Sequence, residues 1–191
     1  MRITGGNLKG RRFAEKVPAG IRPTSDFVRV SIFNTLGNYI DFEEGFEAAD
    51  IFAGTGALGF EALSRGCKSC TFYEKCPKNS FLIKSVAEAF QIESSRYRII
   101  IGNVFKTLPQ FKMTSDEKKF GLIFSDPPYN LLITNKTISI INDKGLLKAG
   151  GIIVAEHSLS ESVVVPEGMR LYTSKKYGDT QVDFLFKIKL F

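Results

Sequence analysis

From residue 48 onward the chain alternates short apolar runs with amphipathic stretches, and that alternation limits the fold more than any other feature. The runs fall at 48–52, 70–74, 97–102, 121–125 and 151–156. Helical spacing fills the gaps, most clearly over 78–90, where Leu82, Val86 and Phe90 share one face. Strand, helix and strand at this spacing build a parallel sheet covered by helices on both sides. Ile99-Ile100-Ile101 fits a strand buried on both faces. The end of the chain breaks the rhythm: Val182, Phe184, Phe186, Ile188 and Leu190 alternate at a period of two. With 170–177 before it and Tyr177-Gly178-Asp179 turning between, a terminal antiparallel hairpin is expected. The class is α/β, with a mostly parallel seven-stranded sheet.

The first 45 residues follow another pattern. Short strand candidates at 2–4 and 11–13 are separated by Gly5-Gly6 and Gly10, which predicts a small hairpin, then a loop through Pro18, Gly20 and Pro23. Thr24 or Ser25 can cap a helix whose Val28, Ile32, Phe33, Leu36 and Ile40 lie on one face. The charge concentrates here. Residues 1–30 hold seven bases and two acids, whereas the remainder of the chain is close to neutral and the total is +6. Bases among glycines and turns suit a phosphate-gripping surface. Arg2, Lys9, Arg11, Arg12 and Arg22 are its candidates. Two units are expected: a basic extension over 1–45 and an α/β domain over 46–191.

Other classes are disfavoured. No stretch approaches the roughly 18 apolar residues of a membrane-spanning helix, and the N-terminal MRITGGNLKGRRF lacks the apolar core of a signal peptide. Three cysteines, an odd number, fit a reducing cytoplasm better than a disulfide framework. Cys67-Lys68-Ser69-Cys70 has the spacing of a metal or redox motif, with Cys76 nearby. A closed zinc site needs four ligands, so no metal is expected and the cysteines read as small residues around a strand.

In an open parallel sheet, ligands bind beyond the carboxyl ends of the strands. The first strand runs through Asp50 into Phe52-Ala53-Gly54-Thr55-Gly56-Ala57-Leu58-Gly59, the second ends at Glu74, and the third at Gly102-Asn103-Val104. The fourth ends at Asp126 and the fifth near Glu156-His157. Gly54-x-Gly56-x-x-Gly59 matches a dinucleotide-binding fingerprint. Asp50 argues against a dinucleotide, because a carboxylate there would repel a pyrophosphate. S-adenosyl-L-methionine, with a sulfonium and an ammonium group, suits it better, and Glu74 can grip its ribose. Candidate cofactor residues are Asp50, Phe52, Ala53, Gly54, Thr55, Gly56, Gly59, Glu74, Asn103 and Val104. Asp50 could instead be a buried acid satisfied by backbone N–H groups, Glu74 an exposed strand-end charge, and Asn103 a turn residue.

Asp126-Pro127-Pro128-Tyr129 is a stiff corner on the end of a buried strand, because proline cannot continue the ladder and restricts the residue before it. Tetrads of the form (D/N)-P-P-(Y/F/W) at this place characterise S-adenosylmethionine-dependent methyltransferases acting on exocyclic or amide nitrogens. Such a nitrogen is a poor nucleophile because its lone pair is delocalised. The Asp126 side chain and the Pro127 carbonyl can accept from its hydrogens, and Pro128 helps hold them in place. Tyr129 offers a face on which a displaced base can stack.

The whole chain resembles the RsmD family, bacterial 16S rRNA guanine-N2 methyltransferases. The resemblance rests on Arg2-Ile3-Thr4-Gly5-Gly6 with Lys9-Gly10-Arg11, Arg22-Pro23-Thr24 with Asp26 and Val28-Arg29, Phe33-Asn34, the glycine loop followed by Glu61-Ala62-Leu63-Ser64-Arg65-Gly66, the Asp126 tetrad, and Tyr177-Gly178-Asp179-Thr180. It implies a Rossmann-like methyltransferase fold, S-adenosyl-L-methionine as cofactor, and a guanine of small-subunit rRNA, free or in an assembly intermediate, as substrate. A cytoplasmic monomer is expected. One departure is Val30, where the family commonly has Glu. His157, the sole histidine, is expected to be structural, since amine methylation needs no obligatory base. Competing readings are a DNA or protein-glutamine amino-methyltransferase, a non-catalytic RNA-binding assembly factor on the same scaffold, and an NAD dehydrogenase.

Overall fold

The computed structural model describes residues 1–13, 25–111, 119–128 and 131–189. Seven strands form one sheet: β1 (Glu47–Ile51), β2 (Ser69–Glu74), β3 (Tyr97–Ile101), β4 (Phe120–Ser125), β5 (Leu147–Ser158), β6 (Met169–Tyr177) and β7 (Thr180–Lys187). Their order is β3-β2-β1-β4-β5-β7-β6. The first five are parallel, and β7 runs antiparallel to both β5 and β6. The chain order reverses between β1 and β4, which opens the crevice where ligands bind in such sheets.

The helices are α1 (Asp26–Leu36), α2 (Ala57–Arg65), α3 (Pro77–Ala89), α4 (Val104–Thr107) and α5 (Thr134–Asp143). Apolar side chains of α1, α2 and α3 pack with Phe72, Leu122 and Phe124 on one side of the sheet. Those of α4 and α5 pack with Ile51, Tyr73 and Ile123 on the other. Ser25 is the residue that caps α1, its hydroxyl accepting from Val28 N at 3.2 Å.

Three expectations change at the carboxyl-terminal half. The fifth strand begins at Leu147 rather than 151, because a register shift opposite Phe120 to Leu122 absorbs the Gly150-Gly151 pair that reads as a break. The final hairpin ends at Lys187, and Ile188 is 45% exposed beyond it; Leu190 lies outside the described residues. Since β7 is an interior strand, alternation alone misplaces Asp183, which is buried with Leu185 rather than turned to water.

Residues 1–13 form the small antiparallel turn, with Ile3 N donating to Arg11 O and Phe13 N to Met1 O. This segment clamps the second half of α2. Glu61, fully buried, accepts from Thr4 N at 2.9 Å and Thr4 Oγ1 at 2.7 Å, and pairs with Arg29 at 3.3 Å and Arg65 at 2.9 Å. Ser64 Oγ donates to Gly5 O and accepts from Leu8 N. A Cβ on Gly6, whose φ is +75°, would lie 1.8 Å from Ser64 O. Ile3, Ile32, Phe33 and Leu36 share the buried cluster of α2 and α3.

Candidate active site

The loops following β1 to β4 surround a cavity of about 690 Å³, within the range of small-molecule sites. After β1 the backbone turns sharply: Phe52, a non-glycine, has φ 63°, a conformation that costs energy and gathers at functional sites. Phe52, Ala53, Gly54 and Thr55 border the cavity. Gly56 and Gly59 do not border it. A Cβ on Gly59 would come within 2.3 Å of the Phe72 ring and 2.8 Å of Cys70 Sγ, and one on Gly56 within 2.9 Å of Phe60. These two glycines let α2 lie close against β2.

Asp50 borders the cavity but is 2% exposed, and its Oδ2 accepts from Gly59 N at 2.9 Å. Burial pushes its carboxyl up to about 7; the Gly59 hydrogen bond opposes the rise and the nearby Glu74 charge adds to it. Both a ligand-facing acid and a backbone-satisfied one were open from sequence, and the geometry joins them in a single residue. Glu74, 6% exposed, accepts from Gly54 N at 2.8 Å and Cys76 N at 2.7 Å. It is no exposed strand-end charge. Asn103 caps α4, accepting from Phe105 N at 2.9 Å, and both Asn103 and buried Val104 border the cavity.

Across the cavity stand Asp126, Pro127 and Pro128. Asp126 N donates to Ile51 O at 3.4 Å, which ties the corner to β1. The chain is held again where α5 begins, since Glu161 accepts from Thr134 N at 2.9 Å, Thr134 Oγ1 at 2.7 Å and Asn135 N at 3.3 Å. Glu161 thereby supplies the cap that α5 lacks from its own preceding residue. Tyr129 and Arg22 lie outside the described residues.

Sequence reasoning missed Lys75, Cys76, Asn79, Phe105, Leu131 and Ile133, all of which border the cavity. Proximity to the ends of β2, β3 and β4 was the available signal, and it names a neighbourhood rather than a side chain. Phe105 faces Phe52 edge-on at 6.3 Å between centroids, and Lys136 Nζ lies 4.4 Å from the Phe105 ring.

His157 sits behind the corner, 4% exposed. Its Nε2 meets Asp183 Oδ2 at 3.0 Å and its Nδ1 meets Ser158 O at 2.9 Å. Both partners can accept, an arrangement that favours the protonated ring with each nitrogen donating and that suits a structural role. Burial alone would depress its pKa; the hydrogen bonds to Asp183 and Ser158 outweigh that and raise it. Arg2, Lys9, Arg11 and Arg12 are exposed and none borders the cavity. Arg11 donates to Phe90 O at 2.8 Å, and Arg29 is 2% exposed in the Glu61 clamp. Arg29 therefore does not belong to the basic surface. Among the described residues no cluster of His, Cys, Asp and Glu could hold a metal ion, and burial pushes the Cys67 and Cys70 thiols up.

The chain is 34% identical over 173 residues to a protein of Buchnera aphidicola (strain APS) named Ribosomal RNA small subunit methyltransferase D, covering 91% of this chain and 86% of that one. A Haemophilus influenzae protein of the same name is 31% identical over 178 residues, covering 93% and 89%. The solved structure of Escherichia coli yhhF superposes with a TM-score of 0.81 at 26% identity, covering 98% of each chain. The family model described as Conserved hypothetical protein 95 matches residues 1–186. The chain belongs to that family, the RsmD family of ribosomal RNA methyltransferases.

Proposed function

We propose that this protein methylates the exocyclic N2 amine of a guanine in 16S rRNA, with S-adenosyl-L-methionine as methyl donor. One observation carries the reading: the glycine turn with Glu74 and the Asp126-Pro127-Pro128 corner border the same cavity. The residues fit the cofactor. Among the described residues, Asp50, Glu74 and Asp126 border the cavity against a single base, Lys75, a balance that suits a cationic ligand and opposes a pyrophosphate. Glu74 would take the ribose hydroxyls on the lone pairs its two backbone bonds leave, and Asn103 and Val104 would flank the adenine. Bound there, the cofactor supplies an electrophilic methyl group.

The chain's own contribution is to orient the amine and stabilise charge on it. The Asp126 carboxylate and the Pro127 carbonyl would accept from the two amine hydrogens. These bonds favour a pyramidal nitrogen and strengthen as positive charge develops, and the ties to Ile51 and Glu161 keep them preorganised. With both nitrogens of His157 engaged by Asp183 and Ser158, the proton would leave without that residue. Tyr129 would stack on the extruded base. Residues 1–45 would hold rRNA through Arg2, Lys9, Arg12 and Arg22, with Arg11 partly committed to the protein, and 46–191 would carry the chemistry. The protein would act as a cytoplasmic monomer on the small subunit or its assembly intermediate.

The test is incubation with under-methylated small subunits, free 16S rRNA and DNA, followed by mass spectrometry of nucleosides. N2-methylguanine should appear in rRNA. Asp126→Ala should lower the rate about tenfold to a few hundredfold, while cofactor binding persists. Methylation confined to DNA, or a wild-type rate in Asp126→Ala, would overturn the assignment.

A further inference from the structure

Most polar groups that meet the cavity at the end of β2 are satisfied within the protein, and the unpartnered Tyr73 hydroxyl is not one of those that border it. Both Glu74 oxygens accept backbone N–H groups, and the Ser80 hydroxyl donates to Cys76 O at 3.2 Å. Asn79 is the exception. It is the third residue of α3 and 8% exposed, it borders the cavity, and its amide makes no hydrogen bond with any described residue. In a capping box a Glu or Gln at this helical position reaches back to the N–H of the capping residue. Here that group, Cys76 N, is already given to Glu74 Oε1 at 2.7 Å. The local use of Asn79 is pre-empted, and its amide is left facing the cavity.

We propose that Asn79 is a second polar anchor for the nucleoside part of the cofactor, binding the ribose diol together with Glu74. This rests on the reading of the cavity given above. The chemistry of the two side chains is complementary: an ionised Glu74 only accepts, whereas the Asn79 amide also donates. A ribose hydroxyl that donates to Glu74 keeps lone pairs that can accept from Asn79 Nδ2. The amide has no protein partner when the cavity holds only water and gains one when a ribose arrives, so it favours ligands that carry that hydroxyl.

The experiment compares wild type with Asn79→Leu, of similar volume and without the amide. Calorimetry reads the affinity for S-adenosylhomocysteine, which needs no turnover, and thermal unfolding reads the empty protein. Asn79→Leu should weaken binding about tenfold or more and should leave the unliganded melting temperature within a few degrees of wild type, since the amide makes no hydrogen bond with any described residue. The loss should shrink when the ligand lacks a ribose hydroxyl. Affinity within twofold of wild type would overturn the proposal, as would a melting temperature that falls in step with affinity. Should Asn79→Leu fail to fold, Asn79→Ser, which is smaller and still polar, gives the same comparison. Absence of binding by the wild-type protein would instead sink the reading of the cavity itself.

Discussion

Two buried carboxylates on neighbouring elements meet opposite fates. Glu61 is fully buried and surrounded by donors: two arginines and both polar groups of Thr4. Asp50 is 2% exposed and has one backbone N–H, with the acid Glu74 nearby and no cation among its influences. The first is complete without help and joins the N-terminal segment to α2. The second is under-compensated, which is the condition of a group awaiting a positive ligand. Burial alone therefore does not tell a structural acid from a functional one; the inventory of partners does.

Removing each acid should move stability in opposite directions. Glu61→Ala removes the buried carboxylate between Arg29 and Arg65, leaving Arg29 with its half-exposed partner Asp26 at 2.7 Å, and should destabilise the fold by about 3–5 kcal/mol, read by urea unfolding; a loss under about 1 kcal/mol would break the comparison. Asp50→Asn should do the reverse. Aspartate titrates near 3.8 when unperturbed and near 7 in the fold, so the native state holds its proton more tightly than the unfolded chain. That raised pKa makes wild-type stability fall as pH climbs from about 4 to 7 and level off above. Asp50→Asn lacks this decline and should be more stable than wild type at pH 8 by about 1–4 kcal/mol, the two converging below pH 4. Its affinity for S-adenosylmethionine should nevertheless drop about tenfold. The smallest effect concerns neither acid. Lys9→Ala or Arg12→Ala should leave stability unchanged and reduce the salt dependence of RNA binding by about one phosphate contact each.

Much of this contrast could be read from the residues, and some could not. The strand ends stand out because apolar runs stop abruptly at Glu74 and Asp126, and topology then forces them around one crevice. The glycine loop is equally visible, yet letters alone do not say which glycines meet a ligand and which meet Phe72. Arg29 looked like one more surface base until Glu61, 32 residues away in sequence, was placed against it. Asp183 was hidden by a period-of-two pattern that assumes a polar outer face, which an interior strand does not have. Asn79 carried no signal, since its importance comes from what Glu74 does to Cys76.

Helix α2 has a consequence for how the molecule transmits change. Its opening turn braces the bend that follows β1, and its closing turn is gripped by the first eight residues of the chain. Nine residues of helix span only about 14 Å, too short a rod to flex between its ends. A tilt imposed at either end must be felt at the other.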